Sequence, residues 1–139
     1  MTRPVSCTYR VIYGDTDQMG VVYYANYLAF FERGRCEFLR ESAFDYGALE
    51  REGFFLPVVD AAVRYGQPAR FDDLVTIETT LTEVRRTTVA FAYRILRGDV
   101  LLASGTTRHA CVNREGRPVR LPVAVRKLTD AETLPESGQ

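Results

Sequence analysis

Four runs of strand-forming residues, at 54–65, 74–84, 87–96 and 100–112, follow one another with only short connections between them. Parallel neighbours need crossovers of a dozen or more residues, so links this short commit the runs to an antiparallel sheet. The links carry turn chemistry: Asp72-Asp73, Arg97-Gly98-Asp99 and Asn113-Arg114-Glu115-Gly116. Alternation assigns the faces. Val89, Phe91, Tyr93 and Ile95 alternate with smaller or polar residues, and Thr76, Glu78, Thr80 and Thr82 lie opposite Val75, Ile77 and Leu81.

Upstream, residues 6–13 read as a strand running into the turn-forming cluster Gly14-Asp15-Thr16-Asp17. Residues 24–41 contain no Pro, and Tyr27, Leu28, Phe31, Phe38 and Leu39 recur at helical spacing among Glu32, Arg33, Glu37, Arg40 and Glu41. This predicts a long helix of about 25 Å with one buried face. Arg33 and Glu37 support it at i,i+4, and Gly34 is expected to let another backbone come close. Residues 45–52 predict a short second helix ended by Gly53.

The order implies an α+β fold, an antiparallel sheet of five to six strands with one long helix across a face. One helix can hardly cover so wide a sheet, so self-association is expected to close part of the apolar surface. With 139 residues and no internal linker or repeat, residues 1–132 read as one domain and 133–139 as a loose tail.

Charge narrows the partners. Eighteen basic residues balance eighteen acidic ones, whereas a nucleic-acid protein usually carries a basic excess to neutralise phosphates. No stretch approaches the roughly 20 apolar residues that cross a bilayer, and residues 1–10 lack the apolar core of a signal peptide. Cys7, Cys36 and Cys111 are odd in number and widely spaced. They suggest neither a disulfide framework nor a metal cluster, and a reducing cytoplasm is the expected setting.

The most informative segment is Gly14-Asp15-Thr16-Asp17-Gln18-Met19-Gly20-Val21-Val22-Tyr23-Tyr24-Ala25-Asn26-Tyr27. It sets two carboxylates in a tight loop directly before the N-terminus of the long helix. Free N–H groups and the positive end of the helix dipole there favour an anion, so a carbonyl placed at that end is polarised and its oxyanion stabilised. Asp17 is then close enough to attack the carbonyl carbon or activate a water. The plainer reading of an Asp before a helix is a cap or loop residue.

The run GDTDQMGVVYYANYLAFFERGR resembles the hot-dog-fold acyl-CoA thioesterases of the 4-hydroxybenzoyl-CoA thioesterase type, including the branch associated with the Tol-Pal envelope system. The shared signature is D-x-D-x-x-G-[VI]-V-[YW]-x-x-N-Y with F-x-E-R-x-R downstream. The resemblance continues through YGQPARFDDLVTIETTLTEVRRTTVAFAYRI and covers roughly residues 6–128. It implies hydrolysis of an acyl- or aroyl-CoA thioester without metal or redox cofactor, by a homodimer with sites at the interface that pairs again into a homotetramer. Residue by residue, Asp17 becomes the nucleophile or general base, the Tyr24 N–H the donor to the thioester carbonyl, and Gly20 the point where the loop passes close to the acyl group. The envelope-associated branch commonly has His where this chain has Tyr24, which keeps the backbone donor and removes an imidazole.

Other residues carry weaker signals. Asp15 reads as a loop residue bound to backbone N–H groups. Glu32 and Arg33 read as a solvated helix face, with Glu32 alternatively lining the partner's acyl pocket. Tyr23, Phe30 and Phe31 read as core, or, in a dimeric site, as walls of the acyl tunnel. Arg85 and Arg86 are the candidates for the CoA phosphates, with Arg120 or Arg126 assisting; an exposed basic turn is the plain alternative. His109, the single histidine, is expected to be structural or on the surface. Without a histidine near the helix, dehydration chemistry is disfavoured. The rival function is a non-catalytic acyl-CoA-binding or scaffold protein.

Overall fold

The computed structural model describes residues 2–128; the tail expected at 133–139 lies outside them. Strand β1 (Val5–Arg10) leads through a single 3-10 turn (Tyr13–Asp15) and a loop to helix α1 (Asn26–Glu41), then α2 (Tyr46–Arg51). Strands β2 (Val58–Tyr65), β3 (Leu74–Val84), β4 (Thr88–Arg97) and β5 (Val100–Ala110) follow, and a short helix α3 (Val123–Arg126) comes last. The strands form one sheet of five in the order β1-β3-β4-β5-β2, every pair antiparallel.

Helix α1 lies on β1, β3 and β4. Tyr27, Phe30, Phe31, Gly34 and Phe38 form its buried stripe, at the spacing a helix needs to keep one face covered. Phe31 stacks on Tyr93 with ring centroids 4.4 Å apart, a pairing that contributes on the order of 1 kcal/mol beyond its burial. Gly34 serves close packing, but against side chains rather than backbone. A Cβ there would stand 2.7 Å from Ile77 Cγ2 and closer still to Thr79 Oγ1.

The helix begins two residues later than expected, at Asn26, because Asn26 N–H bonds back to Tyr23 O (2.9 Å) in a turn. Strand β2 starts at Val58 rather than in the Phe54 region: Pro57, just before it, has no N–H to give a ladder, and Phe55 makes only an isolated bridge to Val112. The α2 helix ends as predicted, with Asp45 capping Ala48 N–H (3.0 Å) and Gly53 in the left-handed region at φ 91°.

The two edges of the sheet differ. β1 alternates between half-buried and exposed, whereas every residue of β2 except Val63 is exposed. Val58, Val59 and Tyr65 stand out among its large apolar side chains.

Candidate active site

Asp17 opens a miniature hairpin. Its N–H donates to Val21 O (2.9 Å), Gly20 N–H returns to Asp17 O (3.0 Å), and Thr16 bridges Val22. Gly20 has φ 80° with nothing within 4 Å of where a Cβ would be. It is thus a glycine of backbone conformation, the left-handed residue that closes a three-residue hairpin loop. The Asp17 side chain folds over this turn, Oδ1 accepting Met19 N–H at 2.8 Å. Its other oxygen has no hydrogen-bond partner among the described residues, and the side chain is half-buried.

Asp15 holds the loop, as its plainer reading expects. Oδ2 accepts from Tyr9 OH (2.7 Å) and Ile12 N–H (2.9 Å), while its carbonyl accepts Tyr23 N–H and Asn26 Nδ2, both at 2.8 Å. The loop is tied to the sheet by Val22 N–H to Ala69 O (2.8 Å) and a bridge from Val21 to Arg70. These bonds leave the N–H groups of Tyr24 and Ala25 without an acceptor among the described residues, directly ahead of α1. Orphan donors and the helix dipole make that spot electropositive.

Tyr23 and Tyr24 are exposed rather than core, with ring centroids 4.7 Å apart. The Tyr23 phenol is raised above its ordinary range, first by the Tyr24 hydroxyl and more weakly by the Asp17 charge. A residue the sequence did not single out completes the group: Tyr65, ending β2, donates its hydroxyl to Tyr24 O (2.9 Å) and packs edge-on against Tyr27 at 5.3 Å. In sequence it was one more aromatic in a strand-like run.

Arg85 and Arg86 do not join this group. They occupy the β3–β4 turn, where Arg85, Arg86, Arg120 and Arg126 line a cavity of about 540 Å³. Strand β3 starts beside the Asp17 loop, where Leu74 pairs with Arg10, and ends at Val84. An extended strand of that length spans about 33 Å, which sets the basic cavity at the opposite end of the sheet from the Asp17 loop. Arg85 is paired with Glu83 at 2.6 Å, and Arg108 shares the same oxygen at 2.8 Å. The Arg108 hydrogen bond holds the Glu83 carboxyl below its ordinary range against an opposing desolvation, with Arg85 adding a weaker pull in the same direction. Glu32 sits at neither place: it is exposed on α1 and lines a different cavity, along the helix's second half.

His109 is structural and buried. Its Nδ1 faces Leu56 O (3.0 Å) and its Nε2 faces Thr107 Oγ1 (2.8 Å), which meets Tyr93 OH (2.6 Å), which accepts from Arg35 Nη1 (3.1 Å). A carbonyl only accepts and a guanidinium only donates, so the chain runs one way. Nδ1–H donates to Leu56, the Thr107 hydroxyl to Nε2, and the Tyr93 hydroxyl to Thr107. That requires neutral His109, and burial lowers its pKa to about 4. Among the described residues, no group of three or more His, Cys, Asp or Glu is placed to hold a metal, and no helix is long and apolar enough to cross a membrane.

A five-stranded antiparallel sheet wrapped on one helix, with a carboxylate loop at that helix's N-terminus, defines a hot-dog-fold protein. Residues 11–129 match the Thioesterase-like superfamily, and the chain belongs to that family. It is 40% identical over 119 residues to the acyl-CoA thioesterase YbgC of Haemophilus influenzae, covering 84% of this chain and 88% of that one. It is 28% identical over 138 residues to a 1,4-dihydroxy-2-naphthoyl-CoA hydrolase of Microcystis aeruginosa, covering 93% and 96%. The crystal structure of a probable thioesterase from Bartonella henselae superimposes with a TM-score of 0.81 at 38% identity, covering 86% of this chain and 99% of that one.

Proposed function

We propose that this chain is an acyl-CoA thioesterase, hydrolysing an acyl- or aroyl-CoA thioester to a carboxylate and CoA. The observation that carries the reading is that one loop holds an Asp17 oxygen and, directly ahead of α1, a Tyr24 N–H, both without a partner among the described residues. The thioester carbonyl accepts from Tyr24 N–H, and its oxyanion is stabilised there as the carbonyl carbon becomes tetrahedral. Asp17 adds to that carbon, or removes a proton from the water that does. The C–S bond then breaks and CoA leaves as a thiolate that takes up a proton, from the Asp17 carboxyl on the general-base route or from water on the nucleophilic one; on the nucleophilic route a second water then hydrolyses the acyl-Asp17 anhydride, releasing the carboxylate and restoring Asp17. Gly20 sets the loop in place, and Tyr23 shapes the approach.

The distance to Arg85 and Arg86 supports an assembly in which two chains build each site. β2 is the exposed edge, and a two-fold axis pairing β2 with its copy in antiparallel fashion turns the second sheet end for end. The partner's Arg85–Arg86 end then lies at the Asp17 end of the first chain, where guanidinium groups can hold CoA phosphates. Association of dimers into a homotetramer is supported by the exposed apolar side chains of Tyr13 and Phe71, stacked at 4.0 Å, and of Met19. A single catalytic domain over 1–132 and a cytoplasmic setting complete the proposal, the latter supported by three unpaired cysteines.

The test is release of free thiol from acetyl-, octanoyl- and benzoyl-CoA. Saturable turnover of at least one supports the proposal. Tight CoA-ester binding with no turnover of any supports the scaffold reading instead.

A further inference from the structure

Along the second half of α1 a cavity of about 360 Å³ opens between the helix, the start of β4 and the end of β5. Its walls are mostly apolar, formed by Leu39, Phe44, Leu56, Val89, Phe91 and Leu128. The size falls at the small end of ligand sites, which run from about 300 to 1,000 Å³. Its lip at Glu32 lies about 9 Å along the axis from the first residue of α1, so it is a separate volume from the space at Tyr24 N–H.

One cation on this cavity has no ion-pair partner among the described residues. Arg35 lines it half-buried and spends one of its five N–H donors on Tyr93 OH (3.1 Å). Among the described residues no carboxylate lies within ion-pair distance of it. Arg40, on the same cavity, is by contrast paired with Glu37, and Glu32 stands exposed at the lip without pairing to Arg35. Glu32 apart, the tyrosines and the histidine packed with Arg35 bring no negative charge. Burial raises the Tyr46 and Tyr93 phenols and keeps them protonated, and burial first, then Arg35 itself, lowers His109 and keeps it neutral. A partly covered cation at the edge of an apolar space favours an anionic guest, because pairing offsets the cost of its desolvation.

We propose that this cavity binds a carboxylate carried on a short apolar chain, the chain against Leu39, Leu56 and Phe91 and the carboxylate on the free donors of Arg35. A guanidinium fork suits a carboxylate in bidentate geometry. The carboxylate has two chemical sources, a free organic acid or the far end of a dicarboxylic acyl thioester. The binding itself does not depend on hydrolysis at Asp17.

Calorimetric titration of the full chain with octanoate and with 1-octanol tests the site. Octanoate is expected to bind at least tenfold more tightly than octanol. Arg35→Met abolishes that difference while octanol still binds, and Arg35→Lys retains part of it. Equal affinity for the two probes in the unaltered chain overturns the proposal, as does a preference that survives Arg35→Met. Should Arg35→Met not fold, the probe comparison in the unaltered chain and in Arg35→Lys decides. The source is read from kcat/KM for octanedioyl-CoA against octanoyl-CoA. A preference for the free ω-carboxylate, lost in Arg35→Met, assigns the acyl group; tight octanoate binding without that preference assigns a free acid. Absence of both octanoate binding and an ω-carboxylate preference refutes the site.

Discussion

The two ends of α1 treat their polar groups in opposite ways. Ahead of its first turn, the Tyr24 and Ala25 N–H groups and one Asp17 oxygen have no partner among the described residues, in a setting of exposed tyrosines. Beneath its third turn, Arg35, Tyr93, Thr107 and His109 form a hydrogen-bond chain that ends on Leu56 O with each intervening link satisfied. Satisfied buried networks hold one arrangement rigidly. Unsatisfied donors at a helix terminus instead await something that arrives with its own acceptor. The same helix therefore supplies a reactive end and a clamped end, and substitutions at the two should fail in different ways.

The reactive end should lose rate without losing fold. Tyr24→Pro removes the N–H and is expected to lower kcat about 10²–10³-fold, while Tyr24→Phe keeps the donor and stays within a few-fold. Steady-state kinetics of the pair separates the backbone donor from the phenol; equal loss in both would assign the effect to the hydroxyl. The clamped end should lose stability with acid. His109 has a folded pKa of about 4, below the ordinary 6.5, so the unfolded chain takes up its proton first as pH falls. Its contribution is complete above pH 6.5 and is lost progressively down to pH 4, on the order of 3 kcal/mol at about 1.4 kcal/mol per unit. Denaturant titrations from pH 7 to 4 should show that slope, and His109→Gln should flatten it.

Between the two ends, Gly34 sets how closely α1 approaches β3. Gly34→Ala brings a methyl group against Ile77 and Thr79 and should cost about 1–3 kcal/mol, outweighing the roughly 1 kcal/mol that Ala favours in a helix. Thermal melts check the sign, and an increase in Tm would mean that β3 yields. The smallest effect falls on the basic cavity. Arg86→Ala is expected to raise KM for CoA esters about tenfold, which is 1.4 kcal/mol, with kcat unchanged. A fall in kcat with KM unchanged would place Arg86 outside CoA binding.

These contrasts were unevenly legible in the sequence. β3 is legible at its observed limits, Leu74–Val84, because its inward and outward residues alternate from Leu74 to Thr82 and its last residues remain strand formers. The Asp17 loop is legible as a turn ahead of a helix, because Gly and Asp cluster directly before a helical run; the hairpin it closes at Val21 is not. What depends on distance through space was not legible. Nothing in Arg85-Arg86 says that a full-length strand separates it from Asp17, and nothing in Tyr65 says that its hydroxyl reaches Tyr24 O. Arg35, Tyr93, Thr107 and His109 are scattered over 75 positions; only the antiparallel register, which sets Tyr93 opposite Gly105 and His109 opposite Val89, brings them into one line.

The central claim is that Asp17 performs the chemistry rather than only capping its turn. The most direct measurement compares Asp17→Asn with the unaltered chain on the best CoA thioester, reading turnover by thiol release and binding by titration of the same ester. Asn keeps the side-chain acceptor for Met19 N–H, so the loop should survive. Turnover is expected to fall by about 10²–10⁴-fold with ester affinity within a few-fold of the original. Turnover retained at near its original rate would contradict the account and return Asp17 to the role of a loop residue.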